Sequence, residues 1–294
     1  MTKIITFLIK TKKIFFNLMM GGIFERFLKK IKIYYMLKKI YDTIQTFFFQ
    51  IEGTRPEYIQ KIQFEKFKAQ FKVSSGPERQ SFSTPSVGAN NEKTMSILLN
   101  TLSIKDIFWD IGANVGLYSC FAGQIVEEGN LVCIEPIPVN LARLKQNLTL
   151  NNISKPLLLN YALSNEEGTF GFEKRDNLEG GLGSLTHETS KIEDTVRVIP
   201  GDKLISKKIA PPPTVIKMDI AGEEWHVIQG MAKALSNENC KLLLCEIHPR
   251  GVKKHGGTVD DFIEKVHDLG FSKIKQLKRS SAARALHYSF KKSS

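Results

Sequence analysis

The chain has 294 residues, 42% of them hydrophobic and 24% charged. These proportions exclude collagen-like, coiled-coil and wholly disordered chains and fit one large core with an appendage. The net charge of +12 points to an anionic partner, either nucleic acid or lipid.

The charge is concentrated at the start. Residues 1–50 hold ten lysines and arginines against two acids, so +8 of the +12 lies there. From Ile23 to Ile51 the apolar residues fall at helical spacing, with Lys29, Lys30, Lys32, Lys38 and Lys39 mostly between them. The longest uncharged run of residues 1–51, Ile14–Phe24, has 11 residues. That is short of the ~20 needed to span a membrane, and no small-x-small cleavage site follows it. Residues 1–51 are expected to form a basic amphipathic helical segment. Its apolar face lies either on an anionic membrane surface or against the body of the protein, with the lysines solvated. A nucleic-acid arm is a third reading, although such arms are usually richer in arginine and less apolar. Residues 52–91 read as a linking segment that ends in the Ser/Pro/Gly stretch Ser74–Asn91.

Residues 92–294 alternate strand and helix patterns. Asn91 is placed to cap a helix ending near Leu102. Ile107–Ile111, Leu131–Ile134, Leu157–Leu163, Val215–Met218 and Lys241–Ile247 are apolar runs that predict strands. Helical spacing runs on to about Val126 and recurs over Pro138–Leu150, Gly222–Leu235 and Thr258–Leu269. Lys273–Leu277 with Leu286–Lys291 predicts a closing hairpin. Two extra strands are expected around Phe170–Phe172 and Val196–Ile199. The fold class is α/β, with a mainly parallel sheet covered on both faces and a ligand beyond the carboxyl ends of its strands. The four cysteines, Cys120, Cys133, Cys240 and Cys245, sit among apolar neighbours without CxxC spacing. They read as reduced, buried thiols of a cytoplasmic protein.

The first strand ends in Asp110-x-Gly112-x-x-x-Gly116 and opens a helix. Gly112 permits a tight turn and close approach to a ligand, and Asp110 can orient a cationic group. The third glycine of a dinucleotide loop is missing. The second strand ends at Glu135, placed to accept hydrogen bonds from two ribose hydroxyls. A glycine turn, an acid and no phosphate loop describe a nucleoside with a cationic amino-acid tail, and S-adenosylmethionine fits that description. Asn160 and Ala162, ending the third strand, are candidates for the adenine side. The alternative for Asp110 and Glu135 is capping and surface charge.

The chain resembles the FkbM family of S-adenosylmethionine-dependent methyltransferases. The resemblance rests on Trp109-Asp-Ile-Gly-Ala-Asn-Val-Gly116, Cys133-Ile-Glu-Pro136, Ala162-Leu-Ser164 and Ile216-Lys-Met-Asp-Ile-Ala-Gly-Glu-Glu224, with Gly230 beyond them. It covers roughly Glu92–Pro249. It implies a Rossmann-like class I methyltransferase fold, usually seven-stranded, and cofactor contacts from Asp110, Gly112, Asn114 and Gly116. It also implies O-methylation of a hydroxyl, often on a sugar. The family pattern Asp-x-Glu-Gly-x-Glu here reads Asp219-Ile-Ala221-Gly222-Glu-Glu224, so one carboxylate is missing.

Methyl transfer needs acceptor oxygen, methyl and sulfur in line, and a hydroxyl acceptor gains from a base. Asp219, Glu224, Glu246 and His248 are candidates, with Lys217 to steady a charge. Asp219 serves as base or holds the methionine amino group. His248 is an imidazole base or a loop histidine before Pro249. Glu224 pairs with Lys217 or caps a helix, and His226 reads as structural. Asp219, Glu246 and His248 are metal-ligand types, but no tight ligand motif joins them and no metal is expected. The loop around Gly180–Ser184, with His187 near it, is a candidate acceptor contact.

Three functions compete. The first is methylation of a hydroxyl on a sugar, glycan or related metabolite. The second is nucleic-acid methylation, disfavoured because Asp219-Ile-Ala-Gly stands where base methyltransferases carry Asp/Asn-Pro-Pro-aromatic. The third is a non-catalytic, membrane-associated relative, supported only by Ala221.

Overall fold

A computed structural model describes residues 57–74, 82, 84–174, 183–186, 195–220, 222–279 and 285–293. The expected basic segment 1–51 lies outside the described residues, as do Ala221, His187 and residues 175–182 of the glycine-rich loop. Among the described residues no helix is long and apolar enough to cross a membrane.

The chain runs β1 (Tyr58–Phe64), β2 (Phe67–Val73), α1 (Thr84–Thr101), β3 (Phe108–Ile111), α2 (Leu117–Ala122), β4 (Leu131–Ile134), α3 (Pro138–Leu150) and β5 (Leu157–Leu159). It continues through β6 (Ala162–Leu163), β7 (Gly168–Lys174), β8 (Gly183–Thr186), β9 (Thr195–Ile199), α4 (Gly201–Ser206) and β10 (Val215–Met218). Then come α5 (Glu224–Gly230), α6 (Ala232–Ser236), β11 (Leu242–Ile247), α7 (Pro249–Lys254), α8 (Val259–Asp268), β12 (Lys273–Arg279) and β13 (Leu286–Lys291).

Seven strands form the main sheet in the order β12-β13-β11-β10-β3-β4-β5. Strands β11, β10, β3, β4 and β5 run parallel, β13 runs antiparallel to β11, and β12, antiparallel to β13, restores the common direction. The strand order reverses between β3 and β10, where such sheets leave a crevice at their carboxyl ends. Alternate residues feed two cores. Phe108, Val215, Leu242 and Leu244 pack with α1, α2 and α3 on one face. Trp109, Ile216, Met218 and Leu243 pack with the later helices on the other. Strands buried on both faces read as unbroken apolar runs, so these strands were predictable to within a residue or two.

Three elements differ from expectation. Residues 58–73 form a two-stranded hairpin rather than a linking segment. On β2, Ala69, Phe71 and Val73 are buried at alternate positions. The outer edge of β2 is met by side chains of α3 and its C-cap: Asn147 Oδ1 accepts from Lys72 N at 2.9 Å and the capping Asn151 Oδ1 from Gln70 N at 2.8 Å. Helix α1 begins at Thr84, with Pro85 in its first turn, so Asn91 lies inside it and is no cap. The single strand expected over Leu157–Leu163 is broken at Asn160-Tyr161. Its second part, β6, joins a separate sheet of order β6-β9-β7-β8 that contains both extra strands.

Candidate active site

The turn after β3 is held by its backbone. Gly112 N and Ala113 N both donate to Ile134 O, at 2.9 and 3.1 Å. Gly112 has φ +74°, and a Cβ added there would lie 2.1 Å from Asp219 O. Only glycine allows the β3 turn to close against the end of β10. Asn114 also has positive φ, 49°, and its N–H donates to Glu135 Oε2 at 2.9 Å. Gly116, φ +94°, begins α2 against Leu144.

Glu135 therefore ties the ends of β3 and β4 together. Its Oε1 accepts from Ile137 N at 3.0 Å and from Asn140 Nδ2 at 3.3 Å. Burial raises its pKa despite these donors. Asn160 supports the same turn, with Nδ2 donating to the carbonyls of Glu135 and Pro136 at 3.1 and 2.8 Å. The amide hydrogens expected to meet an adenine are thus committed to backbone. Ala162 is buried in a side cluster with Val196 and Val198.

On the other side of the turn, β3 and β10 place Asp110 beside Lys217 in parallel register. Lys217 is buried, 6% exposed. Its Nζ lies 3.5 Å from Asp110 Oδ1 and 3.7 Å from Asp219 Oδ2, donates to Gly112 O at 3.3 Å, and stands 4.9 Å over the Tyr118 ring. Burial alone would drive the ammonium to lose its proton, but the carboxylates of Asp110, Asp219 and Glu246 outweigh it and raise the pKa. Ser119, overlooked in the sequence nine residues beyond Asp110, donates to Asp110 Oδ2 at 2.6 Å. Asp110 Oδ1 accepts no hydrogen bond among the described residues. A buried carboxyl oxygen with spare accepting capacity, beside a cradle that only glycine can line, fits a cationic amino-acid group.

Glu224 does not pair with Lys217. It is fully buried at the start of α5, and its Oε1 meets His248 Nδ1 at 2.7 Å and accepts from Gly222 N at 2.9 Å. Burial works against a charge on His248, but Glu224, Asp219 and Glu246 prevail and lift its pKa to about 9. His248 Nε2 faces Glu246 Oε1 at 3.9 Å, and His287 Nε2 approaches the same oxygen at 3.6 Å. Burial first, then the nearby Asp219 charge, lifts Glu246 to about 8. Ligand-type atoms of Asp219, Glu246 and His248 lie within 4.8 Å of one another, a convergence for which no sequence motif existed. His226 lies apart from this group, against Glu223.

A cleft beyond β10 and β11 is lined by Tyr118, Lys217, Asp219, Glu246 and His287, among others. Gly112 and Glu135 are outside its lining. Asp219 belongs to both regions, its carbonyl against the Gly112 turn and its side chain in the cleft.

The sequence profile of the methyltransferase FkbM domain matches residues 110–273, more than half of the chain. The chain belongs to the FkbM methyltransferase family. Gly230 and Ser164, both within the matched residues, pack closely: a Cβ on Gly230 would lie 2.0 Å from Ser164 O. The FkbM domain is 30% identical over 167 residues to the hexuronic acid methyltransferase AglP of Haloferax volcanii, covering 55% of this chain and 66% of that protein. It is 33% identical over 90 residues to the methyltransferase sdnD of Sordaria araneosa, covering 30% of this chain and 35% of that protein. The chain thus spans only part of either relative. A crystal structure of methyltransferase FkbM from Methylobacillus flagellatus aligns with 18% identity and a TM-score of 0.44, over 64% of this chain and 44% of that one.

Proposed function

We propose that the FkbM domain transfers a methyl group from S-adenosylmethionine to an oxygen of a sugar. The observation that carries this reading is the double position of Asp219, packed on the glycine turn and lining the adjoining cleft. Asp110, Gly112, Asn114 and Gly116 would hold the amino-acid end of the cofactor, and Glu135 would accept from its ribose hydroxyls. When bound, the cofactor supplies an electrophilic methyl on sulfonium.

The chain's own residues supply position and proton control. Glu224 Oε1 fixes the imidazole of His248 through Nδ1, leaving Nε2 toward Glu246, which lines the cleft. For a hydroxyl acceptor, His248 Nε2 takes the proton as the acceptor oxygen attacks. Lys217 stands 3.7 Å from the Asp219 carboxylate, and both line the cleft. Burial of these groups strengthens each interaction relative to water.

A second reading has its own support. With pKa values near 9 and 8, His248 is cationic and Glu246 is neutral at pH 7. A cation and a neutral donor complement a carboxylate acceptor, which needs no base. The relative named as a hexuronic acid methyltransferase supports the same class, whose product would be a methyl ester.

One experiment tests both. The protein is incubated with methyl-labelled S-adenosylmethionine and either a neutral hexose glycoside or its uronic acid counterpart. Label stable to mild alkali indicates an ether, and label released as methanol indicates an ester. No transfer to either acceptor by a folded protein that binds S-adenosylhomocysteine overturns the sugar reading. The +8 of residues 1–50 supports docking of the enzyme on anionic lipid, and four free buried thiols support a reducing compartment. Equal liposome flotation by full-length protein and a version lacking residues 1–51 would overturn the lipid role.

A further inference from the structure

Glu223, His226 and His255 form a second cluster that methyl transfer does not use. The sequence gives no ready sign of it, because 29 positions separate the two histidines. Glu223 is 7% exposed. Its Oε1 lies 3.0 Å from His255 Nε2 and its Oε2 lies 3.3 Å from His226 Nδ1. The two imidazole rings lie 4.1 Å apart, centre to centre, inclined by 50°. One ligand-type atom from each of the three residues falls within a 4.8 Å span.

Local structure builds this arrangement. Glu223 precedes α5 and His226 lies one turn on, so both share a helix face. His255 ends α7, and α7 reaches α5 through a contact that only two glycines permit. A Cβ on Gly251 would lie 2.2 Å from Gly222 Cα. The two carboxylate oxygens of Glu223 thus face one imidazole nitrogen each. Among the described residues no lysine or arginine pairs with this carboxylate. The side chains of His226 and His255 keep 20% and 14% exposure, which leaves a path for an ion and a solvent ligand.

We propose that Glu223, His226 and His255 bind a divalent transition metal of the zinc type, with water completing the shell. Two imidazoles and one carboxylate are the donor set of open three-ligand zinc sites. Nitrogen donors favour zinc, cobalt or nickel over magnesium and calcium, which prefer oxygen. With metal–ligand bonds of about 2.0–2.1 Å, tetrahedral ligands stand roughly 3.3–3.5 Å apart, close to the separations at Glu223. The metal would pin α7 to the start of α5, and the adjoining residue, Glu224, orients His248. The site is independent of the acceptor and of the methyl-transfer reading.

The test is titration of the full chain, free of any polyhistidine tag, with Co²⁺ and Zn²⁺. It is followed by cobalt visible absorption and by calorimetry, with circular dichroism confirming the fold of each variant. The expected result is one equivalent of Co²⁺ with the intense band of a tetrahedral site, displaced by Zn²⁺. His255→Gln and His226→Ala are each expected to weaken binding by more than the roughly 10–100-fold typical of losing an outer-shell partner. His267→Ala, at an exposed position, should leave binding unchanged. No stoichiometric binding by the folded wild type overturns the proposal. So does binding that survives both histidine variants, or binding abolished by Glu246→Gln instead.

Discussion

Glu224 and His248 are 24 residues apart in sequence and 2.7 Å apart in space, Oε1 against Nδ1. The carboxylate is fully buried and its second oxygen, Oε2, accepts no hydrogen bond among the described residues. A buried carboxylate on Nδ1 fixes the ring orientation and tautomer and favours the charged imidazole. Glu224→Gln is therefore expected to lower the His248 pKa from about 9 toward the ordinary 6.5. Histidine NMR titration of the two proteins reads this directly. An unchanged titration would show that the pair does not control the imidazole.

The pH dependence of methyl transfer separates the two acceptor classes. If His248 is the base, kcat/KM rises with pH toward a plateau above about 9. If His248 and Glu246 bind a carboxylate acceptor, kcat/KM falls as they lose protons between about 8 and 9. The observed values belong to the interacting pair rather than to either residue. His248→Ala should lower kcat by ~10²–10⁴ in the first case and act mainly on KM in the second.

Glu135 has a test that separates binding from scaffolding. Its carboxylate organises Asn114 N and Ile137 N, and the proposed function gives it the ribose hydroxyls as well. Hydrogen bonds to a charged group contribute ~1.5–3 kcal/mol each. Glu135→Ala is expected to weaken S-adenosylhomocysteine binding by about 100-fold or more in calorimetry. Glu135→Gln keeps an acceptor for one of the backbone donors and should lose less. Equal affinities in all three proteins would remove Glu135 from the cofactor site.

Gly112→Ala combines a positive φ of 74° with a Cβ 2.1 Å from Asp219 O. Backbone strain of ~1–3 kcal/mol adds to displacement of the β10 end, so both thermal stability and cofactor affinity should drop. Gly129, with φ +87° and open space within 4 Å of where a Cβ would stand, is the control. Gly129→Ala should carry the conformational cost alone and leave affinity unchanged.

Stability should decline from mildly acidic to alkaline pH. Glu246 binds its proton up to about 8 in the folded state, against an ordinary 4.5. Between those values the folded state holds more protons than the unfolded, so stability falls as pH rises. His248, raised from 6.5 to about 9, has the same sign: its contribution is complete below 6.5 and lost through 9. Glu223, lowered to about 2 from 4.5, acts oppositely, and its contribution disappears as pH falls from 4.5 to 2. Thermal denaturation should therefore show a maximum near pH 5. Glu246→Gln should flatten the limb between pH 5 and 8, and an unaltered limb would exclude Glu246 as its source.

The local sequence determined the parallel strands, the glycine turn at Gly112 and the acid at Glu135. Each is marked by a residue pattern within one turn or one strand, and a strand buried on both faces must be apolar throughout. The same reasoning missed the hairpin of β1 and β2. Its alternation, Phe67, Ala69, Phe71 and Val73 with Lys68, Gln70 and Lys72 between them, is a strand pattern present in the sequence, whereas its edge is satisfied by Asn147 of a distant helix and Asn151 at that helix's end. It also missed the break at Asn160, whose amide is drawn to the carbonyls of Glu135 and Pro136. Only the tertiary structure decided which charges meet. Lys217 faces Asp110 because β10 lies beside β3 in a particular register. Glu224 finds His248, and Glu223 finds His255, because two glycines let α7 close on the start of α5. Pairings across a sheet or between helices depend on strand order and close packing, for which spacing along the chain carries no code.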